Sequence, residues 1–295
     1  MSKILELNDV SIKYGDFVLG NIDFSLDEGI FLGVVGPNGA GKTTLIKLLL
    51  GITPPGTGSI KLFGKELSSN EAWCKNQIGF VLGENRFWET LAPKDLGSAL
   101  SLFYRDWDKA EYDSLLDRFE ISPKKKASTL STGMKTRLYL ATALSHHAKL
   151  LILDEPTSGL DPFVRREVVS ILCEYLTKDG TSVIFSSHIT SDLDRNADYL
   201  LFLLNGKNKY YGALDTYISS FAQVRSDPAS LDGACREKLI GLRETATVAE
   251  GITADPAFWD GRANCVRENA ELEDILIAVT QEDRKTRALK KAAGK

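Results

Sequence analysis

Apolar and polar residues alternate along residues 3–30, on both sides of a turn at 14–16. This period of two is typical of half-buried antiparallel strands, so we expect an antiparallel β subdomain near the N-terminus. Residues 30–35 are apolar almost throughout, which is typical of a strand covered on both faces. The stretches 150–153 and 182–186 have the same buried character. The pattern therefore predicts two kinds of sheet.

A helix is predicted between the last two of these strands. Asp161 is suited to cap its first turn, Pro162 occupies the first helical position and Gly180 follows its end. Its apolar stripe consists of Val164, Val168, Ile171, Leu172 and Tyr175. The order of strand, helix and strand implies parallel βαβ connections, and therefore an α/β fold with a parallel or mixed sheet.

The other segments are either predicted helices or sequence without a regular pattern. Residues 43–50 form a short predicted helix that ends before Gly51, and residues from about 86 to 148 have a mostly helical pattern. After about residue 205 the sequence is less regular and rich in turns, apart from a predicted helix at 271–279. We expect a helical subdomain in the middle of the chain and a less regular region at its end.

The composition is ordinary for a globular protein, since 43% of the 295 residues are apolar and 26% are charged. The formal charge of −4 disfavours a nucleic-acid-binding protein, and no apolar run approaches the ~20 residues of a membrane-spanning helix. The N-terminus lacks the apolar stretch of a signal peptide, so we expect a cytoplasmic protein. Cys74, Cys173, Cys235 and Cys265 stand far apart, which favours isolated thiols in a reducing compartment over a zinc site.

A glycine-rich segment lies between the predicted strand at 30–35 and the predicted helix at 43–50, and it matches the pattern G-x-x-x-x-G-K-[ST] in full. Glycines let the backbone wrap closely around phosphate groups, and the free N–H groups of the following helix point at them. Lys42 is suited to bind the β- and γ-phosphates, and Thr43 is suited to bind Mg²⁺. The predicted nucleotide-binding residues here are Gly36, Pro37, Asn38, Gly39, Ala40, Gly41, Lys42, Thr43 and Thr44.

Two acidic residues follow the buried strand at 150–153. Carboxylates at the carboxyl end of such a strand lie at the edge of the sheet where ligands of α/β folds bind. Asp154 is suited to hold Mg²⁺, directly or through water. Glu155 is suited to orient or deprotonate an attacking water molecule. Together with the glycine-rich segment, this pair indicates a nucleotide hydrolase.

These motifs, in this order, resemble those of the ABC ATPase family. Residues 130–134, Leu-Ser-Thr-Gly-Met, resemble the family's LSGGQ signature, and residues 154–161 match its acidic strand and following loop nearly letter for letter. His188 occupies the place of the family's switch histidine, and Tyr14 occupies the place of the aromatic residue that stacks on adenine. The resemblance covers roughly residues 3–215 and implies a P-loop NTPase core.

The resemblance also implies how the chain is divided. The expected parts are an ABC ATPase domain at 1–215, a helical subdomain within it at about 86–148, and a small C-terminal accessory region at 216–295. The accessory region carries no catalytic motif and ends in six basic residues against two acidic ones. Such a tail is either simply solvated, which we favour, or a contact with anionic lipid headgroups.

The family's mechanism requires two such domains, which meet head to tail and enclose two ATP molecules. By resemblance, the signature segment of one subunit caps the γ-phosphate that Lys42 of the other subunit holds. The resemblance implies catalytic roles for Lys42, Glu155 and His188, and nucleotide contacts for Tyr14, Ser131, Gly133 and Asp161. The implied cofactors are ATP and Mg²⁺. The implied partners are a second ATPase subunit and a separate membrane-spanning subunit, which would hold the chain at the inner face of the cell membrane.

The signature departs from the family's pattern at two positions. Thr132 stands where glycine is usual, and Met134 stands where glutamine is usual. Ser131 is kept and is suited to cap a helix through 134–148. His146 and His147 are expected at the end of this helix, where an imidazolium suits the helix dipole.

A second departure concerns Mg²⁺. After the strand at 78–82 the family normally has a glutamine that binds the metal, whereas this chain has Gly83 and Glu84. A carboxylate is a strong Mg²⁺ ligand, so we hypothesise that Glu84, or else water alone, completes the metal's shell.

Aromatic residues follow that position. Phe87 and Trp88 are equally suited to contact a membrane-spanning subunit and to pack in a core. For Phe103 and Tyr104, core packing of the helical subdomain is the expectation.

Within the ABC family, the alternatives to a transporter motor are proteins that act on DNA and proteins that act on the ribosome. ABC proteins that act on DNA insert long coiled coils before the signature, but only about ninety residues, without a heptad run, separate Lys42 from Ser131. ABC proteins that act on the ribosome carry two ATPase domains in one chain, and this chain carries one. The sequence therefore favours the motor of a transporter, with export as the expected direction.

Overall fold

The structure, a computed structural model, describes residues 2–83, 90–262 and 264–293. The chain forms two compact units, Met1–Tyr211 and Gly212–Lys295. Among the described residues, no helix combines the length and the apolar character that crossing a bilayer requires.

The strands of the described ranges are β1 (Lys3–Tyr14), β2 (Phe17–Asp27), β3 (Phe31–Val35), β4 (Thr57–Leu62), β5 (Lys65–Glu66), β6 (Ile78–Val81), β7 (Leu150–Asp154), β8 (Ser182–Ser186), β9 (Tyr199–Leu204), β10 (Lys207–Ala213), β11 (Ala222–Ser226), β12 (Ile240–Glu244), β13 (Ala249–Thr253) and β14 (Cys265–Asn269). The helices there are α1 (Lys42–Leu49), α2 (Glu71–Lys75), α3 (Pro93–Leu100), α4 (Lys109–Arg118), α5 (Thr132–Leu144), α6 (Pro162–Asp179), α7 (Leu214–Ser219), α8 (Gly233–Glu237) and α9 (Leu272–Ala293).

The N-terminal strands form an antiparallel sheet in the order β2-β1-β4-β5, as the alternating pattern predicts. Strands β1 and β2 pair in antiparallel register around the turn that joins them. The side chains of Leu5, Leu7 and Val10 are buried in a core that also includes residues of α1. This sheet lies beside the glycine-rich segment, since a β-carbon on Gly41 would lie 2.8 Å from a methyl carbon of Leu19 in β2.

The second sheet has six strands in the order β10-β9-β3-β8-β7-β6. Strands β9, β3, β8, β7 and β6 run parallel to one another. All five residues of β3, of β7 and of β8 are buried, as expected for strands covered on both faces. Since these three strands are neighbours, the loops that follow them meet at one edge of the sheet.

The helix between β7 and β8 is also as predicted. The Asp161 carboxylate accepts hydrogen bonds from the backbone N–H groups of Phe163 and Val164, at 3.0 and 3.1 Å. Gly180 ends the helix in a left-handed conformation that glycine adopts without strain. Both ends of α6 are therefore determined by residues that the sequence identifies.

The middle of the chain is helical, although residues 84–89, which include Phe87 and Trp88, lie outside the described ranges. Helices α3 and α4 meet at Tyr112, which is buried and donates a hydrogen bond to the Pro93 carbonyl oxygen at 2.9 Å. Helix α5 begins after Ser131, as expected, but ends at Leu144 rather than near residue 148.

The histidines after α5 differ in their surroundings. His146 is buried, its Nε2 lies 3.0 Å from the Ile78 carbonyl oxygen, and its ring stacks on Tyr104. Burial lowers the pKa of His146, and the carbonyl oxygens of Ile78 and Thr142 at its two ring nitrogens oppose this effect, so burial disfavours the expected imidazolium. His147 is exposed and its Nε2 lies 3.5 Å from the Asp108 carboxylate. The expected interaction of this histidine with the helix dipole stays a prediction.

The second unit contains a sheet that the sequence analysis did not predict. Strands β11 to β14 form an antiparallel sheet in the order β12-β13-β11-β14. Val224, Leu239 and Trp259 belong to its small core. The expectation of irregular structure is wrong here because these strands have only five residues each and most side chains of β12 and β14 are not buried, which weakens the alternating pattern. Helix α9 was predicted, and it packs on β12 and β13.

Candidate nucleotide-binding site

The glycine-rich segment forms a turn between β3 and α1 that requires glycine at defined points. Gly36 has φ of +154°, and a β-carbon at this residue would lie 2.2 Å from the Leu203 carbonyl oxygen. Gly41 has φ of +110°, and a β-carbon there would lie 2.8 Å from a methyl carbon of Leu19. At these two residues the backbone can take this path only without a side chain, and the first N–H groups of a helix such as α1 have no partner within the helix. This is the geometry that binds phosphate groups.

Lys42, the first residue of α1, is almost fully buried. Its ammonium group donates a hydrogen bond to the Gly36 carbonyl oxygen at 2.8 Å and lies 3.4 Å from Glu155 Oε1. The lysine therefore spans the turn and reaches the first residue after β7. Thr43, next to it, is exposed, so its hydroxyl is accessible at the start of the helix.

The two acids at the end of β7, Asp154 and Glu155, are positioned by a residue that belongs to no motif. The Ser186 hydroxyl donates a hydrogen bond to Asp154 Oδ1 at 2.7 Å and accepts one from the Glu155 backbone N–H at 3.0 Å. Asp154 is buried, whereas the Glu155 side chain is partly exposed. Glu155 adopts a positive φ of +51° that turns the chain out of the strand. Ser186 was missed by sequence analysis because its role depends on β8 lying beside β7.

His188, which follows β8, brings a third chemical group to the same edge. Its Nδ1 contacts Glu155 Oε2, and about half of its side chain is exposed. Glu155 thus lies between a lysine and a histidine that the sequence places 113 and 33 residues away. A carboxylate held between two nitrogen groups keeps a fixed position from which it can accept a proton.

These groups share one open groove with a volume of about 660 Å³. Its lining residues are Phe17, Asn38, Gly39, Ala40, Gly41, Lys42, Thr43, Thr44, Glu155, Ser158 and His188. Such a volume suits a small-molecule ligand, and the combination of a phosphate-binding turn with a lysine suits a nucleotide. Phe17 and Ser158 were not predicted. Phe17 follows the turn at the end of β1 and could have been found as the second aromatic residue of the N-terminal hairpin.

Comparison with known proteins identifies the family. Residues 19–158 match the family model described as ABC transporter. The Nod factor export ATP-binding protein I of Rhizobium meliloti is 36% identical over 295 residues, which cover 94% of this chain and 88% of that protein. This chain belongs to the ABC transporter ATP-binding family.

Two further comparisons agree with the family. The bacitracin transport ATP-binding protein BcrA of Bacillus licheniformis is 31% identical over 210 residues, 70% of this chain and 69% of its own length. A solved structure described as the ATP binding subunit of an ABC transporter is 28% identical with a TM-score of 0.67, and the match covers 72% of this chain and 91% of that chain. The predicted family and the predicted P-loop NTPase fold are therefore confirmed, and the family is one that binds and hydrolyses ATP.

The signature residues of the ABC family lie away from this groove within one chain. Ser131 caps α5, since its hydroxyl accepts a hydrogen bond from the Met134 backbone N–H at 3.3 Å. Gly133 lies in the first turn of α5 near Val164. Neither Ser131 nor Gly133 is among the groove's lining residues in the part of the chain that the structure describes.

Other predicted residues also stand outside the lining. These residues are Tyr14, Gly36, Pro37, Asp154 and Asp161, as far as the described ranges extend. Tyr14 is exposed at the end of β1, and it pairs across the hairpin with Phe17. The Asp161 carboxylate is engaged in capping α6. The assignment of Asp154 to the metal, and of the other four residues to nucleotide binding, stays a prediction.

The donor atoms near the groove fit a magnesium ion. Asp154 supplies a carboxylate and Thr43 a hydroxyl, and hard oxygen atoms of this kind are what Mg²⁺ prefers. Ser186 holds one carboxylate oxygen of Asp154, which fixes the orientation of the group. The third predicted ligand, Glu84, lies outside the described residues.

Proposed function

We propose that this chain hydrolyses ATP with Mg²⁺ and powers the export of a substrate through a separate membrane-spanning subunit. The observation that carries this proposal is the groove in which the phosphate-binding turn, Lys42, Glu155 and His188 meet. Export is supported by relatives whose names include Nod factor export and lantibiotic transport. The relatives give no support to a role on DNA or on the ribosome.

Each group has a defined task in this proposal. The backbone N–H groups of the turn and the Lys42 ammonium would bind the β- and γ-phosphates. Glu155 would orient the attacking water and accept its proton, and His188 would hold Glu155 and contact the γ-phosphate. Asp154 and Thr43 would hold Mg²⁺, with Glu84 or water completing the shell. When bound, the metal neutralises phosphate charge during the reaction.

Two copies would complete each site. The groove is open on one side, and the signature residues of the same chain are not part of its lining. In a head-to-tail dimer the start of α5 of one copy would cap the γ-phosphate bound by the other, with the helix N-terminus facing the anion. We assign this ATPase function to residues 1–215, including the helical subdomain at about 86–148, and an accessory role to 216–295.

Replacing Lys42 tests nucleotide binding. We expect Lys42→Ala to weaken ATP binding by about 10-fold to 100-fold, because a hydrogen bond from a charged group to phosphate contributes about 1.5–3 kcal/mol. Titration of the purified variant with a fluorescent ATP analogue measures this change.

The same helix offers a matched control for that measurement. Lys47 lies in the last turn of α1 and is exposed, outside the groove lining. Lys47→Ala should bind ATP as the wild type does. Equal affinity of the Lys42→Ala variant and the wild type would remove the proposed phosphate-binding role of the turn's lysine.

The helical segment presents a surface for the membrane-spanning partner. Leu102 and Phe103 follow α3 and are 83% and 69% exposed, so the expectation that Phe103 packs in a core is wrong. Tyr104 stacks on His146 and does pack as expected. Adjacent large apolar side chains with this exposure are typical of a contact site. We propose that Leu102 and Phe103 contact the membrane-spanning subunit and hold the chain at the inner face of the membrane.

Replacing this pair tests the partner contact. We expect the double variant Leu102→Ser, Phe103→Ser to lose about tenfold or more in affinity for inverted membrane vesicles of the organism that encodes the chain, because central apolar contacts contribute about 2 kcal/mol each. Sedimentation of the tagged protein with vesicles measures the affinity.

Two controls separate a protein partner from a lipid contact. The double variant Val18→Ser, Ile52→Ser removes two exposed apolar side chains from other parts of the first unit and should bind as the wild type does. Vesicles treated with protease should bind neither the wild type nor this control variant. Undiminished binding to treated vesicles would favour the basic tail as a lipid anchor.

A further inference from the structure

A buried carboxylate lies behind the groove, in a segment to which no motif assigns a role. Asp192 ends a short 3₁₀ turn, Thr190–Asp192, that begins two residues after His188. Only 5% of the residue is exposed. Burying a charged group costs several kcal/mol unless it is paired and hydrogen-bonded, so a carboxylate in such a place calls for partners.

Two residues from the segment after β7 supply those partners. The Thr157 hydroxyl donates a hydrogen bond to Asp192 Oδ2 at 2.6 Å. The guanidinium Nε of Arg165, in the first turns of α6, lies 3.8 Å from Asp192 Oδ1. Arg165 also donates a hydrogen bond from Nη2 to the Leu160 carbonyl oxygen at 3.4 Å. Asp192 thus contacts Thr157, in the loop that runs from Glu155 to the start of α6, and Arg165, in the helix that follows this loop.

The loops after β7 and β8 each carry one chemical group of the groove. Glu155 begins the loop after β7, and His188 stands in the loop after β8. In the groove the two loops meet through the contact between Glu155 and His188. Behind the groove they meet through Asp192 and Thr157. The buried contact is protected from solvent, so it can hold the loops in register when the exposed contact changes during the reaction.

We propose that Asp192 is a positioning residue for ATP hydrolysis, which fixes the loop of Glu155 relative to the segment of His188. This inference rests on the proposed ATPase function and adds a residue to it. Asp192 touches neither the groove nor the turn that binds phosphate. It acts through Thr157 and Arg165.

The electrostatics of the pocket agree with this arrangement. Burial raises the pKa of Asp192, while the hydrogen bond from Thr157 and the charges of Arg165 and His188 lower it and the charge of Glu155 raises it.

Kinetics of two variants test the proposal. We expect Asp192→Ala to lower kcat for ATP hydrolysis by about 10-fold to 100-fold with little change in KM, because small displacements of catalytic groups cost this much. Asp192→Asn keeps an oxygen for Thr157 and loses only the charge beside Arg165, so we expect it to restore kcat to within about fivefold of the wild type. Replacing a residue needed only for folding would change the amount of active protein and the melting temperature. It would not lower kcat at an unchanged KM in Asp192→Ala and restore kcat in Asp192→Asn.

A double-mutant cycle shows whether Asp192 acts through Thr157. Thr157→Val keeps the shape and removes the hydroxyl, and it avoids an uncompensated cavity if Asp192→Ala should fold poorly. We expect Thr157→Val to lower kcat, and the double variant Thr157→Val, Asp192→Ala to be no slower than Asp192→Ala alone. Full additivity of the two effects on kcat would overturn the proposal. So would an unchanged kcat in all three single variants, Thr157→Val, Asp192→Asn and Asp192→Ala.

A matched control and the wild type make the outcomes distinguishable. Asp198 belongs to the same segment, and its carboxylate accepts a hydrogen bond from the Phe31 backbone N–H at 2.8 Å, at the opposite end of β3 from the turn. Asp198→Asn should leave kcat unchanged. If the wild type itself does not hydrolyse ATP, the proposed function fails. If the wild type hydrolyses ATP and the Asp192 variants match it, only the positioning role fails.

Discussion

Glu155→Gln should lower the steady-state rate of ATP hydrolysis at least about 100-fold, because the amide keeps the shape of the side chain but cannot accept the proton of the attacking water. ATP binding should be retained, since the phosphate-binding turn and Lys42 are unchanged. Phosphate release measures the rate, and titration with a fluorescent ATP analogue measures the affinity. A dimer that is stable in ATP should then appear on size-exclusion chromatography, because the closed state is no longer opened by hydrolysis.

The structure explains why this variant should remain folded. The conformation of Glu155 is held by its backbone N–H, which donates to the Ser186 hydroxyl, and this bond does not involve the carboxylate. Glu174→Gln is the matched control, because Glu174 is a surface carboxylate that pairs with Arg118 on α4, outside the groove lining. That variant should hydrolyse ATP as the wild type does. Near wild-type turnover in Glu155→Gln would exclude Glu155 as the base.

Much of the groove could be predicted from the sequence because its groups follow buried strands directly. The turn after β3, the acids at the end of β7 and the histidine after β8 are each close in sequence to a strand that patterning identifies. Parallel strands bring such positions to one edge of a sheet, and the resemblance to the ABC family added the role of the histidine.

The residues that were missed depend on which strands are neighbours. Ser186 contacts Asp154 only because β8 pairs with β7, and Asp192 contacts Thr157 across 35 residues of sequence. A single serine or aspartate in the sequence does not indicate which residue of another strand or loop it will contact. Phe103 was expected to pack in the core of the helical subdomain, but it lies beyond the end of α3 and is exposed.

The signature segment provides the sharpest test of whether two copies share each site. Gly133→Ala should leave the fold of one chain intact: a β-carbon there would lie 3.5 Å from Val164 Cγ1 and 3.8 Å from Leu160 Cδ2, which are ordinary contact distances. Alanine in place of glycine within a helix even favours the helix by up to about 1 kcal/mol. The melting temperature should therefore be unchanged or slightly raised.

In the proposed head-to-tail dimer, catalysis should nevertheless fall, because the requirement for glycine would then come from the ATP bound by the partner copy. A methyl group at the start of α5 would separate its N–H groups from the γ-phosphate across the dimer, and the loss of one such donor costs roughly 100-fold in rate. The double variant Gly133→Ala, Glu155→Gln should also fail to form the dimer in ATP. Gly233→Ala is the matched control, since Gly233 begins α8 and a β-carbon there meets no atom within 4 Å. If Gly133→Ala hydrolyses ATP at the wild-type rate and its Glu155→Gln counterpart still dimerises, the signature does not cap ATP in this protein, and each groove must complete its reaction within one chain.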